Sequence, residues 1–334
     1  VNGEASGLQI RAGRDDDADG YIALIGDCWR EYPGVVVEVE AEVPEIRTLA
    51  TFMADHGGAL WTAERSGRVV GMTASYPGDD GWVLSRVYLD ATQRGTGVGQ
   101  SLLRLAEDHA RAAGAARMSL WSDVLFTRAH SFYEKHGYVR RGGLRALNDL
   151  SNTIEAGFTK PLAGLVVEEL DMAAAESAER ALSTILRDCV QEGASIGFLL
   201  PLAREPAMAF WRRVTKAVGQ GETRLFAAWW DGELAGTVQL GLDMPQNQPH
   251  RGDIKKLLVS PAIRRRGIAR VLMRAAEAAA VQAGRRLLVL DTLAEAPSAT
   301  LYRNLGWSPA GVIPGYALDE TGQAHGTEIF YKAL

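Results

Sequence analysis

Two short glycine-bearing runs carry the first chemistry in this sequence: Arg94-Gly95-Thr96-Gly97-Val98-Gly99 and Arg264-Arg265-Arg266-Gly267-Ile268-Ala269. Each follows an apolar strand-like segment, Trp82 to Leu89 or Asp253 to Val259, and each opens an Ala/Leu/Arg-rich helix. A strand that feeds a tight glycine turn into a helix leaves backbone N–H groups without intrahelical acceptors. Those donors, aided by the helix dipole, bind phosphate. Gly97 and Gly99, and in the second run Gly267 and Ala269, are small enough for a pyrophosphate to approach the backbone, and Arg94 or Arg264 adds charge. The competing reading is a glycine turn that serves only to connect strand to helix; its recurrence in the same context weakens that reading. A dinucleotide fold would need an acidic residue on the next strand and a parallel strand–helix repeat, whereas hairpin strands precede the loop here. Cys28 and Cys189 are far apart and lack metal-type spacing, so neither a zinc site nor a disulfide framework is expected.

The elements that must position these loops occur twice. Each half opens with a strand-like segment, Leu8 to Arg11 or Leu165 to Glu168, followed by a helical stretch that carries Asp27-Cys28 or Asp188-Cys189. A hairpin comes next: Leu60 to Ser75 about Ser66-Gly67, and Leu225 to Leu242 about Asp231-Gly232. After the strand, the glycine loop and its helix, which stops at Gly114 or Gly284, comes another strand (Arg117 to Trp121; Leu287 to Leu290). A helix ending in Phe132-Tyr133 or Leu301-Tyr302 and a Gly-aromatic step at Gly137-Tyr138 or Gly306-Trp307 complete each copy. Matching landmarks lie 161 residues apart at the cysteines, 170 at the loops and 169 at the tyrosines. With 334 residues against a prior of roughly 100–200 per domain, the expectation is two tandem domains, 1–160 and 165–334, parted near Pro161 and Gly164.

This order of strand, Arg-x-x-Gly-x-Gly/Ala, helix, strand, then helix with Tyr and Gly-aromatic resembles the GNAT N-acetyltransferase superfamily, twice over. In the second half Asn247-Gln248-Pro249-His250-Arg251, Lys256-Leu257-Leu258-Val259, Leu290-Asp291-Thr292 and Pro314-Gly315-Tyr316 are similar to the tabtoxin-resistance acetyltransferases. The resemblance implies an α/β (α+β) fold in each half, a mixed sheet with splayed central strands flanked by helices. It implies acetyl-CoA as acyl donor, with its pyrophosphate on residues 94–99 or 264–269 and its acetyl oxygen held by backbone N–H groups near Val87 and Leu89 or Leu257 and Val259. It places Tyr302 and Tyr133 near the thioester sulfur as proton donors, with ring packing as the alternative role. Asp253 and Asp291 match the family's acidic positions as bases for the amine; strand-edge solvation and strand-end hydrogen bonding are the alternatives. By simple alternation Asp253 shares a strand face with Lys255, Leu257 and Val259. His250 and Arg251 are candidate substrate contacts.

The first half lacks both acids. Alignment on the loops puts Val83 where the second half has Asp253, and alignment on the tyrosines puts Ser122 where it has Asp291; Asp123 or a water chain is the substitute, with a structural role for this half as the alternative. Trp121, Phe126, Phe132 and Tyr133 are expected in the core rather than in a cleft. A net charge of −5 without a dense basic block disfavours nucleic acid, and no apolar run has membrane-spanning length. The expectation is a cytoplasmic N-acetyltransferase acting on a small-molecule primary amine, with the second half as the main catalytic one and the two halves packed as an internal pseudo-dimer. The alternatives are an acetyl-CoA-binding regulatory or scaffolding protein with a non-catalytic first half, or a protein or peptide N-acetyltransferase.

Overall fold

The computed structural model describes residues 7–334 apart from 80, 148 and 320. Two compact units form: one from residues up to Tyr133 together with Arg140–Ala163, the other from Glu134–Val139 with Gly164–Leu334. The first half runs β1 (Leu8–Ala12), α1 (Ala18–Trp29), α2 (Val39–Glu42), α3 (Leu49–Asp55), β2 (Ala59–Arg65), β3 (Arg68–Gly78), β4 (Gly81–Leu89), α4 (Val98–Ala112), β5 (Arg117–Asp123), α5 (Thr127–Lys135), β6 (Val139–Ala146) and β7 (Ile154–Pro161). The second runs β8 (Leu165–Leu170), α6 (Met172–Gln191), α7 (Arg204–Gly219), β9 (Thr223–Trp230), β10 (Glu233–Gly241), β11 (Arg251–Val259), α8 (Ile268–Gln282), β12 (Leu287–Leu293), α9 (Pro297–Asn304), β13 (Ser308–Leu318) and β14 (Ala324–Ala333). Each half holds a seven-stranded mixed sheet, in order β1-β2-β3-β4-β5-β7-β6 and β8-β9-β10-β11-β12-β14-β13. The predicted hairpins are β2–β3 and β9–β10. Ser66-Gly67 and Asp231-Gly232 all take positive φ, as a two-residue turn matched to strand twist requires.

Each sheet divides its core in two. In the first half Tyr21, Leu24, Ile25, Cys28 and Trp29 of α1 fill one face with Tyr88 and Phe126 against them, while Val98 and Leu102 of α4 fill the other beside Leu89. In the second, α6 and α7 cover one face around Leu186, Cys189, Trp211 and Leu258, and α8 covers the other around Ile254, Ile268 and Leu272. Each fully buried Leu, Ile or Phe contributes about 1.5–3 kcal/mol over leaving it exposed, so both faces are held firmly.

The middle of each sheet does not close. The parallel ladder between β4 and β5 joins only Trp82 to Met118 and Val83 to Ser119; that between β11 and β12 joins only Arg251–Asp253 to Leu287–Val289. Beyond those pairs the strands part and leave a notch. A bulge accompanies it on β4 and β11: Arg86 (φ 53°) and Lys256 (φ 50°) occupy the left-handed region, opposite register breaks at Met72/Ala74 and Thr237/Gln239. An extra residue bends a strand and increases its local twist, which turns it away from a parallel neighbour.

The bulge also corrects the alternation read from the sequence. Ile254, Leu257 and Val259 all belong to the core beneath α8, whereas Leu258 belongs to the core beneath α6 and α7. Asp253 alternates with Ile254 and so shares a face with Lys255, as expected, but not with Leu257 and Val259. The residue inserted at Lys256 reverses parity for the rest of the strand.

Candidate active site

Both glycine loops end in a left-handed glycine that caps the following helix, Gly97 (φ 92°) before α4 and Gly267 (φ 79°) before α8. The first amide bonds back to these caps come from Ser101 and Val271. The N–H groups of Val98, Gly99 and Gln100, and of Ile268, Ala269 and Arg270, therefore precede the helical ladder and are available to an anion. A Cβ built on Gly97 or Gly267 would meet nothing within 4 Å, so glycine is needed there for backbone conformation. Gly99 differs: a Cβ would come within 3.3 Å of Leu89 and 3.4 Å of Phe132, so its smallness serves packing. Arg265 holds φ 66° where the first loop has Gly95 (φ 77°), and Arg266 lies over the Trp230 ring at 4.9 Å.

In the first half the notch opens into a cavity of about 160 Å³. It runs from Val87, Leu89, Gly99 and Leu102 on the α4 side to Cys28 and Trp29 on the α1 side. Six aromatic side chains line it: Trp29, Tyr32, Tyr88, Phe126, Phe132 and Tyr133. Phe126, Phe132 and Tyr133 thus converge on a cleft, contrary to the expectation that they only fill the core; the open notch supplies the space that helix periodicity does not reveal. Trp121 neither lines the cavity nor enters the core. It is 40% exposed with Arg145 over its ring at 4.1 Å. Arg94 and Arg128 also line the cavity, and both bond to Glu31, Arg94 through two nitrogens at 2.8 and 2.6 Å. Arg94 holds the Glu31 carboxyl below its ordinary range.

Lys256 on β11 and Asp291 on β12 lie past the last parallel pair and flank the second notch, and Tyr302 of α9 packs in the core on the α8 side. Burial pulls the Lys256 ammonium down and the charge of Asp291 partly restores it; burial pushes the Tyr302 phenol well up, with Asp291 adding to the shift. Lys256 donates to the Ile196 carbonyl at 2.7 Å and lies 6.0 Å from the Phe210 ring centroid. Asp291 is exposed on β12, two residues past the last parallel pair, while the Tyr302 ring is buried near Trp307 and Phe330. Tyr133 is its counterpart, buried beside Phe158, and burial raises its phenol too. Each cysteine donates to the carbonyl that ends the notch strand, Cys28 to Leu89 at 3.6 Å and Cys189 to Val259 at 3.5 Å. Burial raises both thiols, which keeps them from being thiolates at neutral pH.

Asp253 sits at the last parallel pair and is held by Arg251, Nη1 to Oδ1 2.5 Å, which supplies the partner its charge needs. Arg251 also reaches Gln248 at 2.8 Å, and the His250 carbonyl accepts from Arg286 and Leu287. These residues begin β11, eight residues and roughly 26 Å of extended strand from Val259. They do not approach the second glycine loop. Sheet register also moves one equivalence: Val83 pairs with Ser119 as Asp253 pairs with Val289, so Trp121, not Ser122, occupies the place of Asp291. The first half carries one more residue between this strand and its tyrosine, which misaligned the two when the tyrosines were matched. Asp123 is buried and its carboxylate accepts from the Leu125 amide, so the turn after β5 uses it. Glu31, Arg128 and Lys256 escaped sequence reasoning. Arg128 has no counterpart charge at Pro297, Glu31 and its match Glu192 lie in no motif, and a bulge at Lys256 has no residue signature.

A family model described as Acetyltransferase (GNAT) family matches residues 22–138 and 199–307. An IAA acetyltransferase of Azospirillum brasilense is 37% identical over 82 residues, covering 24% of this chain and 54% of that protein. An uncharacterized N-acetyltransferase of Mycobacterium tuberculosis is 34% identical over 105 residues, 31% of this chain and 67% of that one. The chain spans about half the length of the first relatives it matches. Among solved structures, an acetyltransferase from Salmonella typhimurium with its cofactor acetyl-CoA aligns with 51% of this chain and 94% of its own, at 17% identity and a TM-score of 0.43. No helix among the described residues is long and apolar enough to cross a membrane.

Proposed function

We propose that this chain, which belongs to the acetyltransferase (GNAT) family, acts on a primary amine of a small molecule, mainly in its second half, by direct attack in a ternary complex. The observation that carries the reading is the parting of β11 and β12 past Asp253 and Val289, with Lys256 and Asp291 on the two freed strand ends. Acetyl-CoA, when bound, supplies the acetyl group as an activated thioester. The amides of Ile268, Ala269 and Arg270, with Arg264, would hold its pyrophosphate, and the strand edge at Leu257 and Val259, left without a parallel partner, would offer N–H groups to the acetyl oxygen. Donors placed this way contribute about 3–4 kcal/mol where they have been removed by mutation.

Asp291 is the group we assign to take the amine's proton. It is exposed at the open end of the notch, whereas Asp253 is occupied by Arg251 and assigned a positioning role. Tyr302, protonated because it is buried, gives the departing thiolate its proton. Lys256 positions the 194–202 segment through the Ile196 carbonyl. The inert thiols of Cys28 and Cys189 support attack without an acyl-cysteine. The resemblance of residues 247–251, 256–259, 290–292 and 314–316 to tabtoxin-resistance acetyltransferases supports a small-molecule acceptor. The cavity beside the first glycine loop favours a second coenzyme site there, held by Arg94 and the amides of Val98 and Gly99.

Calorimetric titration of acetyl-CoA into the intact chain and into Gly267→Glu and Gly97→Glu variants tests both readings. Two sites are expected, one lost with each loop. Binding untouched by Gly267→Glu would overturn the assignment of the second half.

A further inference from the structure

We infer that the cavity of the first half is an acceptor site for an uncharged aromatic amine, a class distinct from the charged amine proposed for the second half; this rests on the reading that the first glycine loop holds acetyl-CoA. The cavity crosses the sheet. Leu89 and Leu102, at one end, belong to the core on the α4 side with the glycine loop, while Tyr88, Phe126 and Trp29 belong to the core on the α1 side. A donor bound from the α4 side leaves the α1 end for an acceptor. That end is walled by the rings of Trp29, Tyr32, Tyr88 and Phe126, within a cavity of about 160 Å³ in all.

The charges select against a cation. Among the described residues lining the cavity none is a carboxylate or an imidazole; the charged ones are Arg94 and Arg128, which share Glu31, whose one negative charge leaves a net positive charge. An ammonium would enter with no counter-ion and with two guanidinium groups nearby. The desolvation penalty of a buried ion exceeds what a desolvated cation–π contact returns. An arylamine avoids this: its lone pair is delocalised into the ring, so it is unprotonated at pH 7 and needs no base before attack. The missing acids at Val83 and Trp121 are then no defect. In the transfer the nitrogen forms the C–N bond to the acetyl carbon, the C–S bond breaks with its electron pair on sulfur, and the amine proton ends on that sulfur through Tyr133.

Aniline and cyclohexylamine are matched in size, and at pH 7.5 only the second is charged. Ligand-observed NMR on the intact chain without coenzyme should show aniline binding at least tenfold tighter. Adding acetyl-CoA should leave aniline bound, and Ala129→Phe, which fills the cavity, should weaken aniline at least tenfold. Equal binding of the two amines, strict competition between aniline and acetyl-CoA, or aniline binding unchanged by Ala129→Phe would overturn the inference. Aniline binding that persists when calorimetry finds no coenzyme site in this half would instead overturn the transferase reading and leave the cavity assignment standing.

Discussion

Replacing Tyr302 with Phe isolates the proton donor from the packing around it. The ring is 6% exposed and lies 5.8 Å from the Phe330 ring and 6.2 Å from that of Trp307; phenylalanine keeps those contacts and deletes one hydroxyl. Loss of a single hydrogen-bonding group costs about 0.5–1.5 kcal/mol of stability, too little to unfold a domain. Loss of general acid catalysis costs about 100- to 10,000-fold in rate, or roughly 3–5 kcal/mol of barrier at 1.4 kcal/mol per decade. The two effects are separable. In steady-state transfer with a responsive amine, kcat should fall by that factor with KM for acetyl-CoA changed less than threefold, while the melting temperature moves by a few degrees. Because the Tyr302 phenol is held above its ordinary value of 10.0 by burial and by Asp291, the wild-type rate should show no loss of this acid between pH 6 and 9. A kcat within fivefold of wild type would refute the assignment and leave Tyr302 as a packing residue.

Two further perturbations follow from the ionisable groups. Lys160 is buried and bonded to Glu107 at 2.9 and 3.1 Å, and Arg111 still reaches Glu107 at 3.2 Å. Lys160→Met should therefore destabilise the first half by about 3 kcal/mol, the low end for a broken buried pair, and Glu107→Leu in addition should recover most of it; a loss under 1 kcal/mol in urea unfolding would refute this. The phenols of Tyr21, Tyr133 and Tyr302 are all raised by burial, so above pH 10 the unfolded chain has shed protons that the folded chain keeps. Stability contributed by the buried phenols is complete below pH 10 and declines as pH rises further. At the acid end Asp17 is lowered by Arg11, so its contribution is present above the ordinary carboxylate pKa and is lost as pH falls. A melting temperature flat from pH 9 to 11 would contradict the alkaline limb.

What the sequence makes legible is what local chemistry dictates. Ser66-Gly67 and Asp231-Gly232 announce their hairpins because few residue pairs tolerate two positive φ values in succession, and Gly97 and Gly267 announce helix caps for the same reason. Arg86 and Lys256 take equally unusual backbone angles, yet nothing in arginine or lysine marks them. The bulge, the reversed parity of Leu257 to Val259 and the notch stay hidden in consequence. The same limit made Ser122 the partner of Asp291 until the sheet register put Trp121 there. Where the halves agree and where they diverge then separates scaffold from specificity. The cysteines at Cys28 and Cys189, the capping glycines and the tyrosines recur. Four of the aromatic cavity positions do not: Trp29, Tyr32, Tyr88 and Phe132 stand where the second half has Val190, Gly193, Leu258 and Leu301. The Tyr32/Gly193 exchange falls in the turn after the first helix of each half, where Gly193 takes φ 84°; the other three replace an aromatic side chain by an aliphatic one. Aromatic-for-aliphatic differences around one notch, on two sheets of the same strand order, are what two acceptor sites of different chemistry would leave in a sequence.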